Sequence, residues 1–568
     1  MDNLKMNNLE TSLPRTLQAS AVTHPHKPRS GWTITVVVIA ALLSIPVVVV
    51  LAHLFVPAGE VWQHLQQTVL PRYVRNSLWL MIGVGIGTLV IGVSTAWLVT
   101  MCNFPGRRVF EWALLLPMAM PAYLLAYTYT DLLEFAGPVQ SFLRDVFDWG
   151  PRDYWFPRVR SRGGATLLLS LVLYPYVYML TRATFLEQSV TLLEASRSLG
   201  RSAWRSFVSV ALPLARPGIV AGLALVCMET LSDFGTVDYF SVQTFTTGIY
   251  RTWYGLGERP AAAQLSAVLL LFVLALVVLE RWSRKQGRVA SNATVRYKQL
   301  PRYDLNLAQR SLVVLACALP IMLGFLLPAG LLTNMAIHNR STALATNIWR
   351  FAGNSLLLAS ITAALALIVA LVLAYGLRLY PNRVSKAATR VAALGYAVPG
   401  SVIAVGVLMA FGWFDNTLDS WLRTTFGVSS GLLLSGTLVG LVFACMVRFL
   451  AVSLGMVEAS LGSITPNMDD AAQSLGHRSI SRLWHVHMPL MRGSLLTALL
   501  LVFVDVIKEL PITIIVRPFN FETLATRVYR LASDERLASS SGLALMIVVV
   551  GIIPVIVLSR AITQSRKR

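Results

Sequence analysis

The sequence predicts an all-α polytopic membrane protein with about 12 transmembrane helices, arranged as two parallel six-helix repeats. Of its 568 residues, 55% are hydrophobic and only 13% are charged, which excludes an ordinary soluble enzyme. Several nearly uncharged stretches are long enough to cross about 30 Å of hydrocarbon as a helix. They lack the alternation of a transmembrane β-strand, and a helix satisfies its own backbone hydrogen bonds in lipid.

Twelve apolar runs are predicted to be membrane spans, six in each half of the chain. The first half contains runs at about 32–56, 76–101, 109–133, 165–187, 213–235 and 261–281. The second half contains runs at about 311–335, 354–376, 388–412, 430–454, 490–510 and 540–562. The chain is therefore predicted to consist of a cytoplasmic N-terminal segment, a first repeat, a basic cytoplasmic linker, a second repeat and a basic cytoplasmic tail. These segments cover 1–31, 32–281, 282–310, 311–562 and 563–568.

Positive charge follows the pattern of a membrane protein with both termini in the cytoplasm. The net charge is +21, and residues 281–310 carry eight Lys or Arg residues against the single acid Asp304. With twelve crossings, this stretch, the basic residues before the first span and the 566–568 tail all lie on one side. A basic membrane-facing surface explains these clusters better than nucleic-acid binding, so membrane lipid is an expected partner and nucleic acid is not.

A short motif occurs twice, 276 residues apart, in polar gaps before the fifth and eleventh spans. Residues 194–213 read EASRSLGRSAWRSFVSVALP, and residues 470–489 read DAAQSLGHRSISRLWHVHMP. Other pairs share nearly the same offset, including Asn76-Ser77-Leu78 with Asn354-Ser355-Leu356. The chain is therefore two copies of one unit, and an even number of spans per unit makes the copies parallel.

Each copy of the motif predicts a short helix at the membrane surface. In the first copy, in a loop at about 190–213, Glu194 and Ala195 belong to an amphipathic segment, Gly200 ends it, and Pro213 opens the next span. Glycine accepts a left-handed backbone, and proline loses no hydrogen bond in a first helical turn.

The second copy, in a loop at about 466–489, repeats these features. Asp470, Ala471, Gly476 and Pro489 occupy the corresponding positions, and the aspartate has a reach shorter by one methylene. His477, His485 and His487 cluster in this basic loop, where solvated side chains are expected rather than metal ligands.

The sequence contains no pattern for ATP hydrolysis. It has no GxxxxGK[ST] and not even a Gly-Lys pair, so no phosphate-binding loop is available. No catalytic constellation, metal-ligand set or cofactor motif is found. The residues therefore predict neither an enzyme nor a cofactor of its own, and if ATP drives this protein, another chain is expected to hydrolyse it.

Two acidic pairs lie in the fifth and eleventh apolar runs. Glu229 and Asp233 are one helical turn apart, as are Asp505 and Glu509. Ionisable groups in a membrane helix are costly, so they mark a cavity or a paired network. One hypothesis places the four acids along a pathway that favours a cationic or metal-bearing substrate. The alternatives are a structural network, such as Asp505 with Lys508, or exposure at the outer interface.

The repeated motif resembles the EAA coupling loop of permease subunits of binding-protein-dependent ABC importers. Two stretches, ETLSDFGTVDYFSVQTFTTGIYRTWYG at 229–255 and MPAYLLAY at 120–127, look most like the fused two-unit permeases of ferric-iron importers. The resemblance covers nearly all of residues 32–562.

The resemblance implies a type I permease with a MetI-like fold in the bacterial inner membrane. A periplasmic binding protein would deliver ferric iron, and two copies of an ABC ATPase subunit would dock on the Glu194 and Asp470 loops. Thiamine and phosphonate importers share the architecture and remain alternatives.

A secondary transporter of the major facilitator type also has twelve spans in two halves. Its signature loop is matched here only by its tail, at Gly106-Arg107-Arg108.

Overall fold

The computed structural model describes residues 30–57, 59–187, 198, 200, 203–287, 302–339 and 347–565. Within these ranges, 11 helices are long and apolar enough to cross a membrane, or 12 if a bent pair of helices is counted as one span. In the first half, the spans are Gly31–Phe55, Leu70–Met101, the bent pair Arg107–Ala119 with Ala122–Phe147, Arg162–Leu186, Phe207–Ser232 and Arg259–Trp282. In the second half, they are Leu307–His338, Ile348–Leu379, Gly400–Phe426, Leu438–Gly462, Ser479–Ile507 and Leu537–Val557. They are called the first to twelfth spans below, the bent pair being the third.

Short elements connect the spans. The connecting helices are Glu60–Thr68, Gly235–Tyr239, Phe245–Tyr250, Arg383–Ala392, Pro466–Ser474, Pro511–Val516 and Leu524–Ser533. Cys102–Asn103 pairs in parallel with Tyr303–Asp304, which joins the end of the second span to the chain before the seventh. The all-α polytopic fold predicted from the sequence is confirmed.

The two halves repeat each other at the level of single hydrogen bonds. Asn76 Nδ2 donates to Gln243 O over 2.8 Å, and Asn354 Nδ2 donates to Glu522 O over 2.9 Å. Next to these contacts, Thr244 and Thr523 each begin a helix with a capping box. The Asn-Ser-Leu repeat in the sequence therefore marks equivalent contacts in both halves.

The third span of each half breaks at a proline, which the sequence prediction missed. Leu116–Ala119 is a 3₁₀ helix, Pro121 has an extended backbone (ψ 139°), and the chain turns by 87°. In the second half, Pro399 (ψ 140°) separates Ala393–Ala397 from the ninth span. Proline disfavours a helical conformation in the residue before it. Continuous helices at 109–133 and 388–412 were therefore wrong, and the ninth span begins at Gly400.

Within the described ranges, three spans contain a π-helical turn that ends two residues before a proline. The turns are Phe207–Ala211, Met322–Leu326 and Leu483–His487, and the prolines are Pro213, Pro328 and Pro489. Proline has no N–H, and its ring clashes with the carbonyl four residues earlier. A widened turn accommodates the ring without ending the helix. Pro213 and Pro489 are thus early in their α-helical segments, as predicted, but each segment continues an existing helix.

The first span of each half packs on the other half. The first span lies against the ninth span and the helix Arg383–Ala392, and the seventh span lies against the broken third span. A Cβ on Gly406 would lie 2.3 Å from Pro46 O, so the ninth span approaches the backbone of the first too closely for any side chain. The two repeats therefore exchange their first helices.

Candidate functional site

Asp233 and Glu509 lie where the fifth and eleventh spans end, and each caps the short helix that follows. Asp233 Oδ2 accepts from Val237 N over 3.1 Å, and Glu509 Oε1 accepts from Ile512 N over 3.0 Å. A carboxylate at a helix N-terminus satisfies free N–H groups and complements the helix dipole. These two acids therefore fix how the chain folds back after each span.

The four acids predicted from the sequence converge on one cavity between the two halves. The cavity has a volume of about 150 Å³, and Glu229, Asp233, Asp505 and Glu509 all line it. Its walls come from the break in the third span and from the fourth, fifth, tenth and eleventh spans. The pairs therefore face each other across the interface, although they are 276 residues apart in sequence.

Arg448, in the tenth span, connects the halves inside this cavity. Its NH2 atom lies 3.7 Å from Glu229 Oε2 of the first half, and its Nε atom lies 3.7 Å from Glu509 Oε2 of the second. Only 6% of its side chain is exposed, and its Nε and NH1 atoms have no hydrogen-bond partner among the described residues. A buried guanidinium needs opposite charge nearby, and here both halves supply it.

The cavity contains a second ion pair and an excess of acidic groups. Lys508 Nζ lies 3.0 Å from Asp505 Oδ1, the pair predicted as the structural alternative. Four carboxylates thus face two cations, with the side chains of Tyr123, Tyr176 and Tyr396 alongside. Within the described ranges, no three His, Cys, Asp or Glu side chains are grouped so that they could hold a metal ion. Carboxylates in the cavity therefore outnumber the cations.

The second coupling loop is anchored by Asp469. Its carboxylate accepts from Arg378 over 2.7 Å and hydrogen-bonds with His487 Nε2 over 2.7 Å. Burial acts to raise the pKa of Asp469, but hydrogen bonds from Arg378 and His487, together with their charges, lower that pKa below its ordinary value. Arg378 also donates to the backbone carbonyls of Leu461 and Ile464, so one arginine ties the loop to two spans.

The predicted residues of this loop lie around that anchor. Asp470 and Ala471 are exposed on the helix Pro466–Ser474, and Gly476 has φ +83°, the left-handed backbone expected at its end. Leu475 is 80% exposed. His487 is only 1% exposed, so its predicted solvation was wrong: it packs against Tyr375 and bonds to Asp469.

The first coupling loop is described only in part. Glu194 and Ala195 lie outside the described residues. Gly200 has φ +73°, which matches Gly476 of the second copy.

The repeated architecture agrees with a known family. The profile of the family described as "Binding-protein-dependent transport system inner membrane component" matches residues 88–286 and again 364–568. The chain belongs to this family. It is a multi-pass inner-membrane permease of the binding-protein-dependent type, and each half carries one copy of the family unit.

Two relatives named for ferric transport match this permease along most of its length. The Fe(3+)-transport system permease protein FbpB 2 of Haemophilus influenzae is 26% identical over 541 residues, covering 94% of this chain and 99% of the relative. The ferric transport system permease protein FbpB of Actinobacillus pleuropneumoniae is 23% identical, and the match covers 85% of this chain and 68% of the relative. The molybdenum transport system permease protein ModB of Escherichia coli is 27% identical over 35% of this chain and 87% of its own.

Arg448 and Asp469 of this permease were not predicted from the sequence. Arg448 is a single charge within the apolar run LVFACMVRFLAV, and an ionisable residue at membrane depth is itself a signal of a polar site. Asp469 directly precedes the residue that fits the repeated motif, so the pattern directed attention to Asp470. No sequence signal distinguishes the partly buried Asp469 from its exposed neighbour Asp470.

Proposed function

We propose that this permease is the membrane subunit of an ATP-driven importer that takes up ferric iron delivered by a periplasmic binding protein. The observation that carries the substrate assignment is the match along almost the whole chain to a permease named for Fe(3+) transport. The chain itself is the pathway, and ATP is hydrolysed by a separate subunit.

The charge of the central cavity supports a cationic substrate. Four carboxylates oppose two cations, so the field inside favours a cation over an oxyanion. The molybdenum permease relative matches 35% of the chain, whereas the ferric relatives match most of it. The charge of the cavity thus favours ferric iron over molybdate as cargo.

Two copies of an ABC ATPase subunit dock on the coupling loops, one at Glu194 and one at Asp470. On the second loop, Asp470 and the apolar Leu475 are both exposed, which is the composition of a surface that a second chain covers. The partly buried ion pair of Asp469 with Arg378 makes this helix a rigid lever between the ATPase and the eighth span. Both termini then lie in the cytoplasm, on the side of the loops.

Transport requires the halves to separate around the central cavity. The ion pair between Arg448 and Glu229 crosses the interface, so opening the pathway must break it while Glu509 keeps Arg448 in the second half. In the empty pathway, Arg448 pairs with Glu229 and holds the halves closed. When this pair breaks, Glu229 is free to face an arriving cation.

Uptake of radiolabelled ferric iron in a deletion strain tests the substrate. Iron uptake should be lost and then restored by the wild-type chain, while uptake of radiolabelled molybdate should stay constant. Unchanged iron uptake together with lost uptake of another solute would overturn the iron assignment and keep the importer.

Co-purification tests the docking surfaces. Wild-type chain should bring a Walker-motif ATPase from native membranes, and Glu194→Ala with Asp470→Ala should lose it. Glu60→Ala with Asp534→Ala is the matched control, since both acids are exposed and lie on the opposite side in the proposed topology. Loss of the ATPase in both double variants, or in neither, would contradict docking at these loops.

A further inference from the structure

A cavity of about 480 Å³ opens in the second half, on the side of the coupling loop. It lies between the end of the eighth span, the helix Arg383–Ala392 and the end of the tenth span. Part of its wall is apolar, with Ala374, Leu377, Leu454 and Leu461. The remaining wall is mainly charged and includes Arg378, Lys386, Arg390 and Glu458.

The charges around this cavity leave an excess of positive charge. Asp469 neutralises Arg378 through a 2.7 Å contact. Lys386 and Arg390 are one turn apart on the same helix face, both exposed, and neither forms an ion pair within the described part of the chain. Glu458 is the one carboxylate among the lining residues, so it offsets only one of these two cations. An anionic group would complete the site.

The first half provides a reference for the same place in the fold. There the corresponding short helix, Arg107–Ala113, faces the fourth span. Glu111 lies 2.9 Å from Arg107 and 3.4 Å from Arg182, whose side chain is only 4% exposed. A single acid between two arginines holds that helix against the span. The second half replaces this internal ion pairing with an open, basic cavity.

The surroundings of the cavity favour a lipid over a soluble anion. On the helix Arg383–Ala392, Val384 and Val391 are 57% and 44% exposed beside the basic residues. A helix with exposed apolar and basic side chains is suited to the boundary between acyl chains and headgroups. The leucine and alanine wall of the cavity offers surface for acyl chains or glycerol, which a free phosphate would not use.

We propose that this cavity binds an anionic phospholipid, with its phosphate between Lys386 and Arg390 and its glycerol region against the apolar wall. Basic pockets between transmembrane helices on the cytoplasmic side commonly bind lipid headgroups. The site requires neither ferric iron nor the ATPase, so it goes beyond the proposed transport function and can be tested apart from it.

Native mass spectrometry of the purified full-length chain tests the proposal. Phosphatidylglycerol and phosphatidylcholine with identical acyl chains are titrated separately, and wild-type protein should bind phosphatidylglycerol about tenfold or more tightly. The variant Lys386→Gln with Arg390→Gln should lose that preference, because each basic residue near an anionic headgroup contributes roughly a several-fold factor.

Two controls make the result specific. Arg108→Gln with Arg383→Gln removes the same charge from the two equivalent short helices without touching the cavity lining, and should keep the preference. Equal binding of both lipids by wild type, or an unchanged preference in the cavity variant, would overturn the proposal. Displacement of phosphatidylglycerol by millimolar inorganic phosphate would assign the site to a free anion instead. Thermal unfolding in detergent confirms that both double variants are folded. If the cavity double variant is not folded, Lys386→Gln alone replaces it.

Discussion

Tyr529 donates a 2.5 Å hydrogen bond from its hydroxyl to Asp238 Oδ2, and this bond joins the loop after the eleventh span to the loop after the fifth. The Tyr529 ring also lies 5.7 Å from the ring of Phe234. Each contact crosses from one half to the other, beyond the ends of the fifth and eleventh spans. The halves are therefore sealed on the side opposite the coupling loops.

Tyr529→Phe should weaken this seal while keeping the aromatic packing. A lost hydrogen bond to a charged group costs about 1.5–3 kcal/mol, so the halves should separate more easily. We expect higher ATPase activity of the assembled importer in the absence of binding protein. Tyr154→Phe is the control, because the Tyr154 hydroxyl bonds to Gln140 within one half. Equal effects of the two variants would contradict a seal specific to the interface.

Arg448→Gln should destabilise the permease more than Glu229→Gln does. Without Arg448, Glu229 and Glu509 lose their shared cation, whereas without Glu229 the arginine keeps Glu509. Breaking a buried ion pair costs about 3–5 kcal/mol when a charge is left unpaired. Thermal unfolding in detergent measures the difference, and Glu229→Gln and Glu509→Gln added to Arg448→Gln should restore part of the loss. No recovery in the triple variant would mean that Arg448 acts through other contacts.

Asp469→Asn and Asp470→Asn should separate the anchoring of the coupling loop from its docking. The first removes a carboxylate with two partners and should lower stability by about 1–3 kcal/mol, whereas the second should leave stability unchanged and weaken ATPase binding. Thermal unfolding and ATPase co-purification measure the two effects. The same stability loss in both variants would contradict this division.

The anchor should also depend on pH. The folded-state pKa of Asp469 is below its unfolded value, which is near 3.9. Its stabilising contribution is therefore complete above that value and is lost as pH falls through the lowered folded-state pKa. Wild type should lose stability relative to Asp469→Asn only below about pH 4. A difference that fades near neutral pH would mean that another group controls the loop.

Gly406→Ala should disturb the packing of the first span on the ninth. Its Cβ would lie 2.3 Å from a backbone oxygen of Pro46, which cannot rotate away, so the two helices must separate. Overpacking of this kind costs about 1–3 kcal/mol. Gly412→Ala in the same helix is the control, because its Cβ would meet nothing within 4 Å. Thermal unfolding of both variants should show a loss for Gly406→Ala alone.

Apolar length and repetition were enough to predict the fold from the sequence, but not its breaks. A hydrophobic run identifies a span because lipid imposes the same requirement along its whole length. Pro121 and Pro399 lie within apolar runs, and hydropathy does not show whether a proline in a membrane helix kinks the helix or ends it. The exchange of first helices depends on packing between distant spans, and no local pattern carries it.

Part of the central site was predictable for a related reason. Carboxylates in apolar runs are rare, so the sequence predicted that the two acidic pairs mark either a cavity or a paired network, and all four acids line one cavity. The capping roles of Asp233 and Glu509 depend on where each span ends, which the sequence placed too late by a few residues. Arg448 could have been predicted in the same way as the acids, because a charged residue in an apolar run is equally rare. It was missed because it has no repeat partner in the first half.

The exchange of first helices also affects how the protein is made. Pro46 of the first span packs against Gly406 of the ninth span. When the first span enters the membrane, roughly 360 residues must still be synthesised before Gly406 is made. At about 5–20 residues per second, that interval is on the order of half a minute. During this time one face of the first span can contact only lipid or the insertion machinery. Any mutation that slows the arrival of the second half extends that exposure, so abundance in the membrane should respond to changes far from the pathway.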